Sequence, residues 1–315
     1  MKKLLLTIFV LVLLLVAGIY IFIPAKLEFG KAIYIHANRN ITSRYIADQA
    51  KWVKWWPADN PDILATKENE ESTYTFKNYH YTIVREALGG TSILIKYNGK
   101  KINSFLHLIA LKPDSVVAEW KGELKETNNP VARLNNYFLA LRVKENISEI
   151  LQNVKTFLEN NERAYGLKII QQQVKDTILI ATKFTANKYP SAADIYNIVT
   201  GLRGYISSNG ATETNPPMLN VTRDSIYNIM VAIPVNKVIP ATGKFVLKRM
   251  VPGKILVTEV KGGDYTAAEA LRQLTLYMED NQLTAPAIPF QSLVTERTKE
   301  PDTTKWITRI YYPVI

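Results

Sequence analysis

The stretch LLLTIFVLVLLLVAGIYIFI, residues 4–23, contains twenty consecutive residues without a charged side chain. At a rise of about 1.5 Å per residue, a helix of this length just crosses a hydrocarbon core of about 30 Å. Lys2 and Lys3 precede the stretch and Pro24 follows it. The pattern predicts a transmembrane helix that tethers the rest of the chain.

A cleaved signal peptide is the alternative interpretation of this run. The apolar region of a signal peptide usually spans only about 7–15 residues. No small-x-small cleavage site follows Ala17 and Gly18, because bulky residues come next. We therefore expect an uncleaved anchor, residues 1–24. The positive charges on its flanks are nearly balanced, but two lysines on a minimal tail favour a cytoplasmic amino terminus. The soluble part is then expected on a bacterial periplasmic face.

Composition narrows the classes of function. The chain has 315 residues, of which 47% are hydrophobic and 21% charged, so the part after the anchor suits two compact domains. The absence of cysteine excludes disulfide scaffolds, thiolate zinc sites and thiol nucleophiles. The net charge of +11 is scattered without a basic block, so we expect attraction to anionic headgroups and no nucleic-acid partner.

Residues 30–163 are predicted to form the first soluble domain. Residues 32–37 alternate as a strand does, a helical stretch follows at 41–56, and five strand-like runs separated by turns predict an antiparallel meander. A long helix ending near residue 160 closes the domain. Its apolar stripe has helical spacing and comprises Ile147, Ile150, Leu151, Val154, Phe157 and Leu158.

This order of elements resembles the START-like superfamily, which is related to polyketide cyclases. The similar stretches are IYIHANRNITSRYIADQAKWVKWWP at 33–57 and ISEILQNVKTFLE at 147–159. The resemblance implies a helix-grip fold with an apolar cavity between sheet and long helix, suited to lipids or other hydrophobic molecules. Trp52, Trp55 and Trp56 either line that cavity or fill the core at the helix–sheet corner, and we expect the second role.

Residues 167–315, the second predicted domain, contain an internal repeat. VKDTIL at 174–179 recurs as VPGKIL at 251–256, and each is expected to form a tight hairpin. A helix and two further strands follow each hairpin, so the unit β-β-α-β-β occurs twice. Together with the first domain, this pattern predicts an α+β fold class for the chain. The matching segments are the helices 192–208 and 267–281, the strands PMLNVT at 217–222 and PFQSLVT at 289–295, and the closing AIPV at 232–235 and YYPV at 311–314.

This half resembles the GyrI-like effector-binding domain, which is also found attached to AraC- and MerR-type regulators, especially in residues 250–258, 262–265 and 310–314. The resemblance implies a groove opposite the helices that binds amphipathic, often cationic molecules through aromatic walls and a carboxylate. The Tyr-Glu-x-Tyr stretch of the family is Phe290-Gln291-Ser292-Leu293 here. Because Gln291 has no charge and Leu293 no phenol, this departure weakens the case for a cationic ligand and for catalysis.

Five residues are candidates for the ligand-binding walls. Side chains alternate along a strand, so Trp306 and Tyr311 face opposite sides of the last strand, and the sequence leaves open which side is the groove. We expect no catalytic residue, metal or cofactor, because the three histidines lack ligand spacing and no nucleophile elbow, phosphate loop or dinucleotide fingerprint occurs. The wall candidates are Tyr277, Gln291, Leu293, Trp306 and Tyr311.

The sequence thus predicts a membrane-tethered protein that binds small hydrophobic or amphipathic molecules in order to sequester, carry or sense them. Two alternatives stay open. One is a hydrolase or cyclase-type enzyme that uses one of the two cavities, and the other is a module that binds a protein partner.

Overall fold

The computed structural model describes residues 2–57, 66–68, 71–87, 89–175 and 178–315. The chain forms a mixed α and β structure with an N-terminal apolar helix and two antiparallel sheets. It divides into two compact units, Met1–Asn160 and Asn161–Ile315.

Helix α1, Lys2–Phe22, contains the apolar stretch with which the chain begins, and none of its residues is buried. Within the part of the chain that the structure describes, it is the one helix long and apolar enough to cross a membrane. A signal sequence near the N-terminus also passes this test of length and composition.

The first unit combines a seven-stranded antiparallel sheet with one long helix. Strand β1, Leu27–Ile35, is followed by α2, Arg39–Ile46, and by a 3-10 helix, Gln49–Lys54. The sheet continues as a meander in the order β1-β7-β6-β5-β4-β3-β2, and α3, Pro130–Leu158, closes the unit. The remaining strands are β2 (Thr66–Glu68), β3 (Glu71–Phe76), β4 (Tyr79–Ala87), β5 (Gly90–Tyr97), β6 (Lys100–Lys112) and β7 (Ser115–Leu124).

Three tryptophans fill the core of the first unit, as the sequence led us to expect. Trp52, Trp55 and Trp56 are 0%, 5% and 6% exposed. The Trp52 and Trp56 rings stack with centroids 5.0 Å apart. Each indole N–H donates to a backbone carbonyl, which satisfies the one polar group of a buried tryptophan.

The second unit begins with α4, Asn161–Tyr165, and then runs through two copies of one element order. The first copy has strands β8 and β9, helix α5 and strands β10 and β11, and the second has β12 and β13, α6, and β14 and β15. Their bounds are β8 (Ile170–Gln173), β9 (Ile178–Ala186), α5 (Ala192–Ser208), β10 (Met218–Arg223), β11 (Tyr227–Pro234), β12 (Val246–Arg249), β13 (Lys254–Lys261), α6 (Asp264–Asp280), β14 (Phe290–Leu293) and β15 (Ile307–Val314).

The hairpins expected at the start of each copy do not form, and that prediction was wrong. The single sheet has the order β12-β9-β11-β10-β14-β15-β13-β8, so each copy gives its first strand to the second strand of the other copy. The turn residues Asp176 and Thr177 lie outside the described residues. The Val174 amide donates to the Gly253 carbonyl at 2.9 Å, which joins the two connections that carry the exchanged strands.

Helices α5 and α6 pack on the same face of this sheet. Ile180, Leu219 and Val231 pack with α5 in one core cluster, and Leu256 and Ile310 pack with α6 in another. Cross-strand neighbours share a face, and the pairing of Gln291 with both Leu219 and Ile310 places the two clusters on one side. The alternate residues of the same strands face the other side.

The burial of Trp52 predicts that substitutions at Trp52 and at its neighbour Val53 change the free energy of unfolding by very different amounts. We expect Trp52→Ala to lower the free energy of unfolding of the first unit by about 3–5 kcal/mol, because it leaves a large buried cavity. Val53, which is 50% exposed, is the matched control, and Val53→Ala should change this free energy by no more than about 0.5 kcal/mol. Hydrogen exchange of the β5–β7 amides measures both, and equal effects of the two variants would contradict the packing.

Candidate functional site

The second unit contains a cavity of about 340 Å³ on the sheet face opposite the two helices. Its floor is an apolar cluster built from Leu179, Ala181, Met218 and Ala232. These residues alternate along their strands with the side chains that pack against α5, so the helix core fixes which residues face the cavity. The connecting segments 250–253, 286–288 and 313–315 supply the other walls.

The cavity wall is mostly apolar and contains flexible side chains. Met218, Met230 and Met250 line it, and they are three of the five methionines of the chain. Methionine is unbranched and polarisable, so it adapts to ligands of irregular shape. The Phe290 ring also lines the cavity and stacks on Tyr311 with centroids 4.9 Å apart. A volume above 300 Å³ with such walls is typical of small-molecule sites.

Positive charge surrounds this apolar surface. Lys183, Lys248, Arg249 and Lys254 are lining residues, and no aspartate or glutamate of the described residues is among them. The pairing of β9 with β11 and β12 puts Lys183 and Lys248 on the cavity face. Neither lysine forms an ion pair or a hydrogen bond with the part of the chain that the structure describes. Both ammonium groups are therefore available to an anionic group.

The five wall candidates do not gather at this cavity. Tyr311 lies on the cavity face, where it supports Phe290, whereas Gln291 faces the helices because it pairs with Leu219 and Ile310. The Gln291 side-chain oxygen is buried and has no hydrogen-bond partner among the described residues. None of the five candidates is itself a lining residue.

The other three candidates are packed in the unit. Leu293 is 1% exposed in the core beneath α5. Tyr277 packs edge-on against Tyr165 with centroids 5.1 Å apart. Burial raises the pKa of the Tyr277 phenol above its ordinary value. Trp306 is 8% exposed and donates its indole N–H to the Glu300 carbonyl at 2.8 Å. A ligand-binding role for the five residues stays a prediction.

Arg297 covers the ring of Trp306. Its guanidinium lies 4.6 Å from the ring centroid, pairs with Asp264 at 2.8 Å and donates to Thr308 at 3.0 Å. The Arg297 side chain is only 1% exposed. The Arg297 guanidinium therefore occupies the ring face of Trp306 and the carboxylate of Asp264. An aromatic ring and a carboxylate are the groups that the GyrI-like resemblance implies for binding a cationic ligand.

The methionines and lysines that line the cavity are not among the residues that the sequence indicated. Its candidates include Gln291, which neighbours the cavity-facing Phe290 on β14. The alternation of side chains along β14 indicates which residue faces the cavity. Leu293 is an apolar core residue, and Gln291, two positions before it, lies on the same core-facing side. The pattern of Met218, Met230 and Met250 was the second available signal.

The first unit has a larger, open cavity, of about 1010 Å³, lined by residues of β1, β4–β7 and the first half of α3. Phe29, Ile93, Ser104 and Ala140 line it from the buried side. Unlike the cavity of the second unit, its lining includes acidic as well as basic side chains. These charged residues are Glu28, Lys31, Arg85, Glu119, Lys121, Glu123 and Lys144.

Searched over the described residues, the structure contains no group of three or more His, Cys, Asp or Glu side chains that could hold a metal ion. The expectation that the protein uses no metal or cofactor stays a prediction.

No protein-family model matches the chain, and no curated protein matches it in sequence. Among solved structures, the C-terminal domain of EcmrR is 16% identical, with a TM-score of 0.42, over 47% of this chain and 98% of that chain. SAV2435 bound to tetraphenylphosphonium is 15% identical, with a TM-score of 0.32, over 47% of this chain and 94% of that chain. A START superfamily protein from Mycobacterium smegmatis is 13% identical, with a TM-score of 0.29, over 41% and 97%.

The buried guanidinium gives a prediction about stability. We expect Arg297→Met to lower the free energy of unfolding of the second unit by about 1–3 kcal/mol, because Thr308 and Asp264 lose their charged partner. The loss stays below that of a fully buried pair, since the Asp264 side chain is 43% exposed.

Arg272 supplies the matched control for this prediction. Its side chain is 58% exposed and pairs with Glu269 on the same helix. Arg272→Met should change the free energy of unfolding by no more than about 0.5 kcal/mol. Denaturant unfolding of both variants decides the matter, and equal losses would show that Arg297 has no special structural role.

Proposed function

We propose that this chain is a membrane-tethered protein that binds small amphipathic molecules, with the cavity of the second unit as the ligand site. The observation that carries the proposal is the apolar cavity lined by Met218, Met230 and Phe290 and bordered by unpaired lysines. An apolar wall stabilises a hydrocarbon or aromatic body through burial, and a few charged groups fix its orientation.

The same cavity supports an anionic head group. Lys183 and Lys248 face it without carboxylate partners among the described residues, so they attract an anionic head group and repel a cationic one. This preference is opposite to the cationic ligands that the GyrI-like resemblance implies. It agrees with the replacement of the family's glutamate by Gln291.

Membrane tethering through α1 and a periplasmic location of both units belong to the same proposal. The support is the apolar run of Lys2–Phe22 with its flanking lysines. A duplicated GyrI-like layout in the second unit, with helix-grip packing in the first, is the family assignment that the element orders favour. In this account the protein sequesters, carries or senses its ligand at the membrane surface.

The ligand charge gives the first functional prediction. We expect the full chain in nanodiscs to bind octanoate more tightly than octyltrimethylammonium, because the two probes share a tail and differ in the sign of the head group. Isothermal titration calorimetry against empty nanodiscs measures both affinities. Equal or tighter binding of the cation would contradict the proposed selectivity, and binding of neither probe would contradict the site.

The double variant Lys183→Gln and Lys248→Gln tests the residues. Two partly exposed charge contacts contribute about 1–1.5 kcal/mol together, so octanoate should bind roughly tenfold more weakly. Lys299→Gln is the matched control, because Lys299 is an exposed lysine of the same unit that does not line the cavity. An equal loss in the control would point to the overall charge of the protein instead of the cavity.

A further inference from the structure

The end of α1 is fixed to the first unit by a buried arginine. Arg133, in the first turn of α3, is 8% exposed and donates to the Ile23 carbonyl at 3.1 Å and to the Thr127 carbonyl at 3.0 Å. Its guanidinium also lies 4.6 Å from the Tyr20 ring centroid, and the Tyr20 hydroxyl donates to the Asn128 carbonyl. These contacts hold α1 and the start of α3 together, so the anchor does not end in a free linker.

The same part of α3 exposes large apolar side chains. Val131, Tyr137, Phe138 and Leu141 are 66%, 39%, 48% and 42% exposed. Val131, Phe138 and Leu141 follow at intervals of seven and three residues, which places them on one face of the helix. The second half of α3 has no large apolar side chain among the exposed residues of the chain. An exposed apolar patch of this kind marks an interaction site.

This face also borders the large cavity of the first unit. Tyr137 and Leu141 line the cavity, and so does the exposed Lys144 one turn further along. Tyrosine is enriched at membrane interfaces, and lysine is attracted to anionic lipid headgroups. The face therefore combines apolar, aromatic and basic groups next to this cavity.

From the contacts of Arg133 and the exposed apolar face we infer that the first three turns of α3 lie in the interfacial layer of the membrane from which α1 emerges. The cavity of the first unit then lies at the lipid surface. This inference rests on the proposed membrane tethering, and it is independent of the anionic site in the second unit.

The absence of cysteine allows a direct test, because single cysteines can be introduced into the full chain and labelled with an environment-sensitive fluorophore. The protein is reconstituted in nanodiscs of phosphatidylcholine and phosphatidylglycerol, with or without doxyl-labelled lipids as quenchers. Phe138→Cys and Leu141→Cys report on the proposed face. Gln152→Cys, an exposed position further along α3, is the aqueous control, and Leu11→Cys in the middle of α1 reports on tethering.

We expect blue-shifted emission and doxyl quenching at positions 11, 138 and 141, and neither effect at 152. Leu141 is the most informative position, because it lies about 12 Å along the helix from Arg133 and is not carried into the bilayer by the anchor alone. Quenching at 11 without quenching at 138 and 141 would overturn the inference while leaving the tether intact. Absence of quenching at 11 would overturn the tether and the inference together.

A second variant tests the role of the arginine. In an Arg133→Met background, the label at 141 should lose its quenching while the label at 11 keeps it, because α1 stays inserted but no longer positions α3. Circular dichroism confirms that the helices persist. Unchanged quenching at 141 in the folded variant would show that Arg133 does not set the contact.

Discussion

Exchange of the first strands between the two halves of the second unit is the constraint on which its cavity depends. Because β8 pairs with β13 and β12 pairs with β9, the β8–β9 and β12–β13 connections both pass across the sheet. They meet where the Val174 amide donates a hydrogen bond to the Gly253 carbonyl. Those connections wall the apolar floor at Ala181 and Ala232. Two independent hairpins would leave this floor without these walls.

The two units hold apolar surface in different ways. In the first, the stacked rings of Trp52 and Trp56 fill the interior at one end, and an open cavity is left beside the first half of α3. In the second, the helices fill one face of the sheet and the other face keeps a smaller apolar cavity with lysines around it. As proposed, a membrane tether, a cavity at the lipid surface in the first unit and a charge-selective site in the second would together handle amphipathic molecules at a membrane.

The sequence predicted the elements well because local patterns determine them. The apolar run of α1, the helical stripe of α3 and the repeated β-β-α-β-β order are all readable from spacing. Strand exchange was missed because a hairpin and an exchanged pair have the same local pattern and differ only in long-range pairing. The lining of this cavity was not predicted for a related reason, since the choice between Gln291 and Phe290 as the cavity-facing residue depends on which face of β14 the helices cover.

Native mass spectrometry of the full chain purified gently from its own host, followed by denaturing extraction of bound molecules, tests ligand binding most directly. We expect a defined adduct with an apolar body and an anionic head group, released on unfolding. A bound cation would contradict the charge assignment around Lys183 and Lys248. A consistently empty protein would contradict the claim that the chain retains a small amphipathic ligand.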